Sequence, residues 1–457
     1  MRYRTSFAVV SIMLLAGCTS LGRTSYVTPP VPMPSQFEHA GAADMGPVRQ
    51  DRWWTEFNEP ALDSLIETAI ARNPDLAVAA IRVRHATLQA RLAGNALLPI
   101  PSGSVSTGVS RALDKGKPAS EAASGSVGLS WEVDLFGKIA AQRDAATFEA
   151  RATAEDRDAA ALALVGTTAT LYWQIAFANE RIALAEQSLA YSRQTQALVE
   201  TQYRAGAVSR LERNEVVQSV AAQEAALQQL IQIRTEARES IGVLLDGAQM
   251  PVTEPQLLNA AALPPVAAGI PAELLRRRPD LRAAELRLRR TLANGDATRL
   301  SYYPALTLTG SLGGSSASLL HVLANPIATL GAGLALPFLN WEAMRFDSAI
   351  ARTQTEEAVV LFRKSLYTAL SEVENALSAR LTLAAQSESL RRSRDAAIEV
   401  ERIYEIRYRA GAVPLRAWLD AQERRRSADV ALSANQLERL QNQVTLHQAV
   451  GGSFETQ

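Results

Sequence analysis

The hexapeptide Tyr203-Arg204-Ala205-Gly206-Ala207-Val208 occurs a second time, letter for letter, as Tyr408-Arg409-Ala410-Gly411-Ala412-Val413. The separation, 411 − 206 = 205, recurs in other landmarks: Pro74 and Pro279 (279 − 74 = 205), and Pro99 and Pro304 (304 − 99 = 205). Three landmarks in one register mark an internal duplication, so whatever this chain folds into is made twice. Both hexapeptides interrupt a long helical pattern. Lys138 to Ala205 contains no Pro and only Gly166, and Trp341 to Ala410 contains neither residue. At about 1.5 Å of rise per residue, some 65 residues would reach on the order of 100 Å. A globular domain, whose helices are usually a few turns long, has no use for that length. Gly accepts positive φ without steric cost, so residues 203–209 and 408–414 read as tips of antiparallel helical hairpins. The returning helices run from about Arg210 to Leu245 and from Leu415 to Val450.

Ahead of each long helix the period changes from helical to two. Val105, Thr107 and Val109 alternate with Ser104, Ser106 and Gly108, and Val127, Leu129, Trp131 and Val133 with Gly128, Ser130 and Glu132. In the second half Leu306 and Leu308 alternate with Thr307 and Thr309, and Leu334, Leu336 and Phe338 with Gly333 and Ala335. Each half therefore reads as a β-hairpin, at 100–136 and 305–339, with polar loops at Asp114–Pro118 and near Gly313–Ser316. Two readings compete. The hairpins pack on a soluble core, or they cross a bilayer, which takes roughly ten tilted residues per strand. Four strands close no membrane barrel, since the smallest have about eight. Open strand edges are excluded from hydrocarbon, so the membrane reading requires a barrel shared between chains.

The rest of the chain excludes more than it specifies. Formal net charge is zero, with 47 basic and 47 acidic side chains interspersed, which argues for no nucleic-acid partner. The single thiol, Cys18, rules out an intramolecular disulfide, and His39, His85, His321 and His447 are too scattered for a helical metal pair. No phosphate loop, nucleophile elbow, metal motif or Ser/His/Asp set is present, so neither an enzyme nor a cofactor is expected. Arg2 and Arg4 followed by the apolar run Phe7–Ala16 read as a signal peptide, 1–17, too short to span a bilayer permanently. Leu15-Ala16-Gly17-Cys18 resembles a bacterial lipobox, which implies lipidation of Cys18; an ordinary secretory signal is the alternative. Residues 18–50, rich in Pro, read as a lipidated tether. The repeats then fall at 51–246 and 272–457, joined by the Pro-rich linker 247–271. Trp53-Trp54 reads as an anchor on the body or a ligand stack, and Arg276–Arg278 as a solvated loop-to-helix junction or a phosphate site.

Several of these stretches together resemble the TolC-like outer-membrane efflux proteins, in particular the lipoprotein branch serving resistance-nodulation-division (RND) pumps. They are the lipobox, Trp53-Trp54 with Phe57 and Pro60-Ala61-Leu62, Asn73-Pro74-Asp75-Leu76, Leu274 through Leu281, Tyr302-Tyr303-Pro304, and both tips. The resemblance implies an α+β membrane protein, a homotrimer whose twelve shared strands form an outer-membrane β-barrel continued by a periplasmic α-helical barrel. It implies contact with outer-membrane lipid, a periplasmic adaptor docking at the tips (Tyr203, Arg204, Gly206, Val208, Tyr408, Arg409, Gly411, Val413) and an inner-membrane RND pump. The chain would be a passive exit duct for drugs or other small molecules. A duct for type I protein secretion and a non-pore coiled-coil lipoprotein are the alternatives. The family's periplasmic constriction maps onto Trp418-Leu419-Asp420-Ala421-Gln422, so Asp420 is the expected gate acid, with an ordinary surface acid as the other reading. Its counterpart by the repeat offset is Glu215. Pro414 and Arg416 depart from the family's usual Ser and apolar residue, and Arg416 is expected to pair with a neighbouring acid.

Overall fold

The computed structural model describes residues 23–41, 52–113, 119–259, 263–264, 269 and 271–452; the signal peptide, Cys18 and the Asp114–Pro118 loop lie outside these. Helices α1 (Pro60–Arg72) and α2 (Pro74–Asn95) lead into strands β1 (Ile100–Ser110) and β2 (Ser120–Val133). Then come α3 (Lys138–Arg204) and α4 (Arg210–Leu244). The second half repeats the order with α5 (Pro279–Leu300), β3 (Ala305–Ser316), β4 (Ile327–Ala335), α6 (Trp341–Arg409) and α7 (Leu415–Ala449). The offset holds residue by residue at many boundaries: 300 − 95, 305 − 100, 409 − 204 and 449 − 244 all equal 205. Two compact units emerge, and each draws on both repeats.

One unit takes the described residues up to Val31, Ala80–Glu155 and Arg282–Ser365. Its centre is a four-stranded antiparallel sheet in the order β1-β2-β3-β4. The register puts Val105 beside Gly125 and Gly103 beside Val127, Val127 beside Leu312, and Leu312 beside Ala328. One face thus carries Val105, Val109, Val127, Leu129, Leu312, Leu330 and Leu334, all exposed. The other carries mostly Ser, Thr and Gly, with Ile100, Glu132 and Ile327 toward the strand ends; the Ser104 and Ser126 hydroxyls are 3.0 Å apart and those of Ser106 and Ser124 2.7 Å apart. The turn after β2 passes through Gly137 at φ 84°. There Asp134 accepts hydrogen bonds from the N–H groups of Ile139 (3.0 Å) and Ala140 (2.7 Å), satisfying donors that the first turn of α3 leaves free.

Two strand boundaries differ from the sequence reading. Gly313–Ser316 is not a loop but the end of β3. A Cβ on Gly313 would stand 2.6 Å from the Gly125 carbonyl, and one on Gly314 2.1 Å from the Val322 carbonyl, so these glycines mark close backbone approach inside a strand. Leu336 and Phe338 lie beyond β4, because Pro337 has no N–H to give the ladder and opens a 3-10 turn at Pro337–Leu339.

The other unit takes Pro32–Ala79, Asp156–Leu281 and the chain from Leu366 onward. Its main core joins Trp53, Trp54 and Phe57 to Leu62, Leu65 and Ile66 of α1, Tyr172 and Trp173 of α3, Ile241 of α4, and Leu440 and Val444 of α7. Trp53 and Trp54 are fully buried, so they anchor the start of the folded chain. The most apolar window of α3 reaches a mean hydropathy of 1.3, but 61% of it is buried, so its apolarity belongs to packing. Gly166 sits where a Cβ would come within 2.0 Å of the Gln448 amide, which donates to the Leu162 carbonyl at 3.1 Å.

The Pro-Asp helix starts are capped differently in the two repeats. Asn73 accepts from the Leu76 N–H at 2.9 Å, an ordinary N-cap for α2. At the same place before α5 stands Arg278, which is buried. It donates to Asp280 (2.8 Å), Glu372 (2.6 Å) and the Ala449 carbonyl (3.2 Å). The end of the Arg276–Arg278 run is therefore an internal staple and not a solvated junction.

His447 is buried and stacks on Trp53, with centroids 4.7 Å apart and planes at 15°. Its Nε2 has no hydrogen-bond partner among the described residues, and burial pushes its pKa down to about 4. The folded state thus prefers the neutral ring, and the unfolded chain, titrating near 6.5, takes up the proton first. This contribution is complete above pH 6.5 and is lost as pH falls through about 4. At about 1.36 kcal/mol per unit it amounts to on the order of 3 kcal/mol. Thermal melting of His447→Phe should accordingly fall less between pH 7 and pH 4 than that of the parent chain. Parallel curves would remove the ring from the acid response.

Candidate functional site

The two tips owe their shared letters to backbone geometry. Gly206 and Gly411 adopt φ 72° and 71°. Behind them Ala207 N–H donates to the Gln202 carbonyl at 2.8 Å, and Ala412 N–H to that of Arg407 at 2.9 Å. Gly206 N–H and Gly411 N–H reach the carbonyls of Tyr203 (3.0 Å) and Tyr408 (2.9 Å). This is the Schellman pattern, with Gly in the left-handed position that closes a helix. The starts of the returning helices diverge. Ser209 accepts from the Leu211 N–H at 3.1 Å, and Glu212 accepts from the Ser209 N–H at 3.0 Å, forming a capping box. Pro414, in the equivalent place, supplies no side-chain cap.

The tip side chains also take different partners. The Arg213 guanidinium lies 5.3 Å from the Tyr203 ring centroid, and exposed Arg204 pairs with Glu200 at 3.3 Å. Tyr408 stacks on Trp418, with centroids 5.1 Å apart, and its hydroxyl donates to Gln202 at 2.8 Å, linking one tip to the other. Arg409 pairs with Glu405 at 2.6 Å. Val208 is half-buried against a cluster of Val199, Val216, Leu415 and Trp418; Val413 is half-buried. Sequence reasoning quoted Trp418 only as part of a motif, yet it is the buried centre of both tips. Its position three residues after Leu415, on one helical face, was the available signal.

On α7 the buried residues Leu415, Trp418, Ala421 and Gln422 leave Arg416 and Asp420 on the opposite, exposed face, one turn apart. The structure brings Arg416 within 3.9 Å of Glu215, across from α7 to α4. Glu215 is half-buried, whereas the Arg416 side chain is 76% exposed, so this pair adds little stability on its own. Asp420 makes no ion pair among the described residues.

Cys18 lies outside the described residues, but the chain a few residues beyond it is held down. In the sheet-bearing unit Arg23 pairs with Asp144 at 2.8 Å. The Thr24 N–H and hydroxyl donate to the buried Asp296 carboxylate at 2.7 and 2.6 Å, and Arg289 stands 4.3 Å over the Tyr26 ring. In the helical unit Glu374 accepts the N–H groups of Glu38 (3.1 Å) and His39 (2.9 Å) as well as contacting the His39 ring. Glu38, His39 and Glu374 are close enough to resemble a metal-binding group, but the Glu374 oxygens are already taken by backbone donors. Both carboxylates act as clips on a segment without regular secondary structure.

A family described as outer membrane efflux protein matches residues 65–246 and 270–452, one match per repeat. The pyoverdine export outer membrane protein OpmQ of Pseudomonas putida is 32% identical over 98% of this chain and 96% of its own length. The toluene efflux pump outer membrane protein TtgC, also of Pseudomonas putida, is 28% identical over 98% of this chain and 95% of its own. Among solved structures, the outer-membrane channel OprN superposes with a TM-score of 0.85 at 26% identity, covering 94% of this chain and 99% of that one. The duplicated helical frame, the four-stranded sheet with its apolar exposed face, and matches over both repeats lead to one assignment: this chain belongs to the outer membrane efflux protein family.

Proposed function

We propose that this chain is the outer-membrane component of a tripartite RND-type efflux system, a passive exit duct built from three copies. The observation that carries this reading is the two-faced sheet. A face of Val and Leu at the surface needs lipid or protein to cover it, and the edges of β1 and β4 have no partner strand among the described residues. Three such sheets joined edge to edge give twelve strands, apolar outside and lined mostly by Ser, Thr and Gly, with every ladder closed. The lipid anchor at Cys18 holds the protein in the outer membrane, the helical hairpins extend through the periplasm, and the tips meet an adaptor that connects to the inner-membrane pump. Relatives named for pyoverdine and for toluene support small molecules as the cargo, since one frame serves cargo of different chemistry.

At the closed end, threefold symmetry would bring three exposed Asp420 carboxylates into one ring, which attracts cations and repels its own members. The Arg416–Glu215 pair would latch α7 to α4 beside that ring. The protein reconstituted from detergent is expected to run as a trimer and to give single-channel conductance in planar bilayers. Asp420→Ala should raise that conductance or lower its cation selectivity. A water-soluble monomer after removal of the lipid anchor would overturn the duct reading, and unchanged conductance and selectivity in Asp420→Ala would remove this residue from the gate.

A further inference from the structure

Within the helical unit, α3, α4, α6 and α7 surround a cavity of about 730 Å³ above the tips. That volume falls in the range of small-molecule sites, roughly 300–1,000 Å³. Most charges around it are neutralised. Arg425 pairs with Glu401 (2.8 Å) and Asp429 (3.6 Å), Arg426 with Glu423 (2.6 Å), Arg402 with Glu399 (2.6 Å), and Glu405 with Arg409 (2.6 Å). Arg181 is the exception. Its guanidinium is half-buried in the wall, and among the described residues it makes no ion pair or hydrogen bond. Burial pushes its pKa below the usual range, with Asp429 and Glu180 opposing at longer distance.

The same wall holds a second unmet group. Gln422 is 2% exposed, and among the described residues neither its amide nitrogen nor its amide oxygen has a partner. A buried polar group left unpaired costs about 1–3 kcal/mol, so an unpaired guanidinium and an unpaired amide beside one cavity need an explanation. The duplication supplies a control. The positions 205 residues away carry Gln386 (181 + 205) and Val217 (422 − 205), so the helical frame requires neither an Arg nor a Gln there. Leu184, Leu230 and Ile398 supply apolar wall between them.

We propose that this cavity binds an amphiphilic organic anion, with its acidic head on Arg181, its apolar body against Leu184, Leu230 and Ile398, and a second polar group on the Gln422 amide once that side chain turns toward the cavity. A desolvated guanidinium gives charge-assisted hydrogen bonds to a carboxylate or sulfonate, which sets the sign of the ligand. The site is a feature of one chain's helices and does not rest on the duct reading.

The test is equilibrium dialysis of naphthalene-1-sulfonate against the full-length protein in lipid nanodiscs, corrected by empty nanodiscs. The uncharged naphthalene-1-sulfonamide serves as comparison. Saturable binding of one sulfonate per chain is expected, with the sulfonamide at least tenfold weaker. Arg181→Gln should weaken sulfonate binding about tenfold or more, Arg181→Lys less, and Gln422→Leu severalfold, with melting temperatures recorded for each. No saturable binding above empty nanodiscs, equal binding of the two probes, or parental affinity in folded Arg181→Gln would each overturn the proposal. The first of these is also what a neighbouring copy filling the cavity would produce. Dialysis reads binding without transport, so failure here leaves the conductance test of the duct untouched.

Discussion

Val127→Arg should prevent the protein from inserting in the outer membrane, while Ser104→Arg, close by on the opposite face of the sheet, should insert normally. Val127 stands midway along β2 and is 67% exposed, with Gly103 and Leu312 as its cross-strand neighbours. An Arg on the lipid side of a membrane barrel costs about 2–4 kcal/mol at the bilayer midplane, falling to about 0–1 near the interfaces. In a threefold barrel the substitution is made three times, so the penalty approaches the whole stability of an ordinary domain, about 5–15 kcal/mol. Ser104 points the other way and loses only its 3.0 Å contact with the Ser126 hydroxyl. Its Arg would stand in a polar lumen, where charge alters ion selectivity and not insertion. The measurement is the fraction of heat-modifiable trimer in outer-membrane preparations, followed by reversal potentials for the Ser104 variant. Equal insertion of the two variants would mean that the Val and Leu face does not meet lipid.

That contrast depends on a pattern the sequence displays openly, whereas other parts of the site were hidden from it. Alternation of Val127 and Leu129 with Gly128 and Ser130 is local, and a period of two is legible without knowing the neighbours. The helix stops were equally legible, because Gly206 and Gly411 do the same backbone work in the same letters. What failed was the reading of Gly313 and Gly314 as loop, since the reason for glycine there is close backbone approach, by Gly125 from the other repeat at Gly313 and by Val322 from the same hairpin at Gly314. The burial of Arg278 was invisible for the same reason: its partners Glu372 and Ala449 lie 94 and 171 residues away. The Pro-rich N-terminal stretch has no regular secondary structure where it is described, but its attachment through Thr24 to Asp296 spans 272 residues. Local chemistry announces elements; pairings between distant polar groups have to be seen.

Trp418→Ala should uncouple the two tips and destabilise the end of the helical unit more than any substitution on its exposed face. Trp418 is 1% exposed and touches both halves of the duplicated chain. Its ring stacks on Tyr408 at 5.1 Å and meets Tyr191 edge-on at 6.1 Å, and it packs with Val199, Val216 and Leu415. Truncating a buried Trp to Ala costs about 3–5 kcal/mol, and here the lost ring is also what holds Tyr408 near Gln202. Trp418→Phe keeps a stacking partner and leaves a smaller void, so it should retain most of the stability. Protease sensitivity around residues 203–209 and 408–414 should therefore rise sharply in Trp418→Ala and little in Trp418→Phe. Asp420→Ala, two residues on but exposed, should leave both melting and protease resistance as they are. If Trp418→Ala kept parental protease resistance, the tips would be held by their Gly turns alone. If it lost resistance together with export while Asp420→Ala changed only conductance, packing and gating would separate onto the two faces of α7. The buried face would set where the tips stand, and the exposed face would set what passes between them.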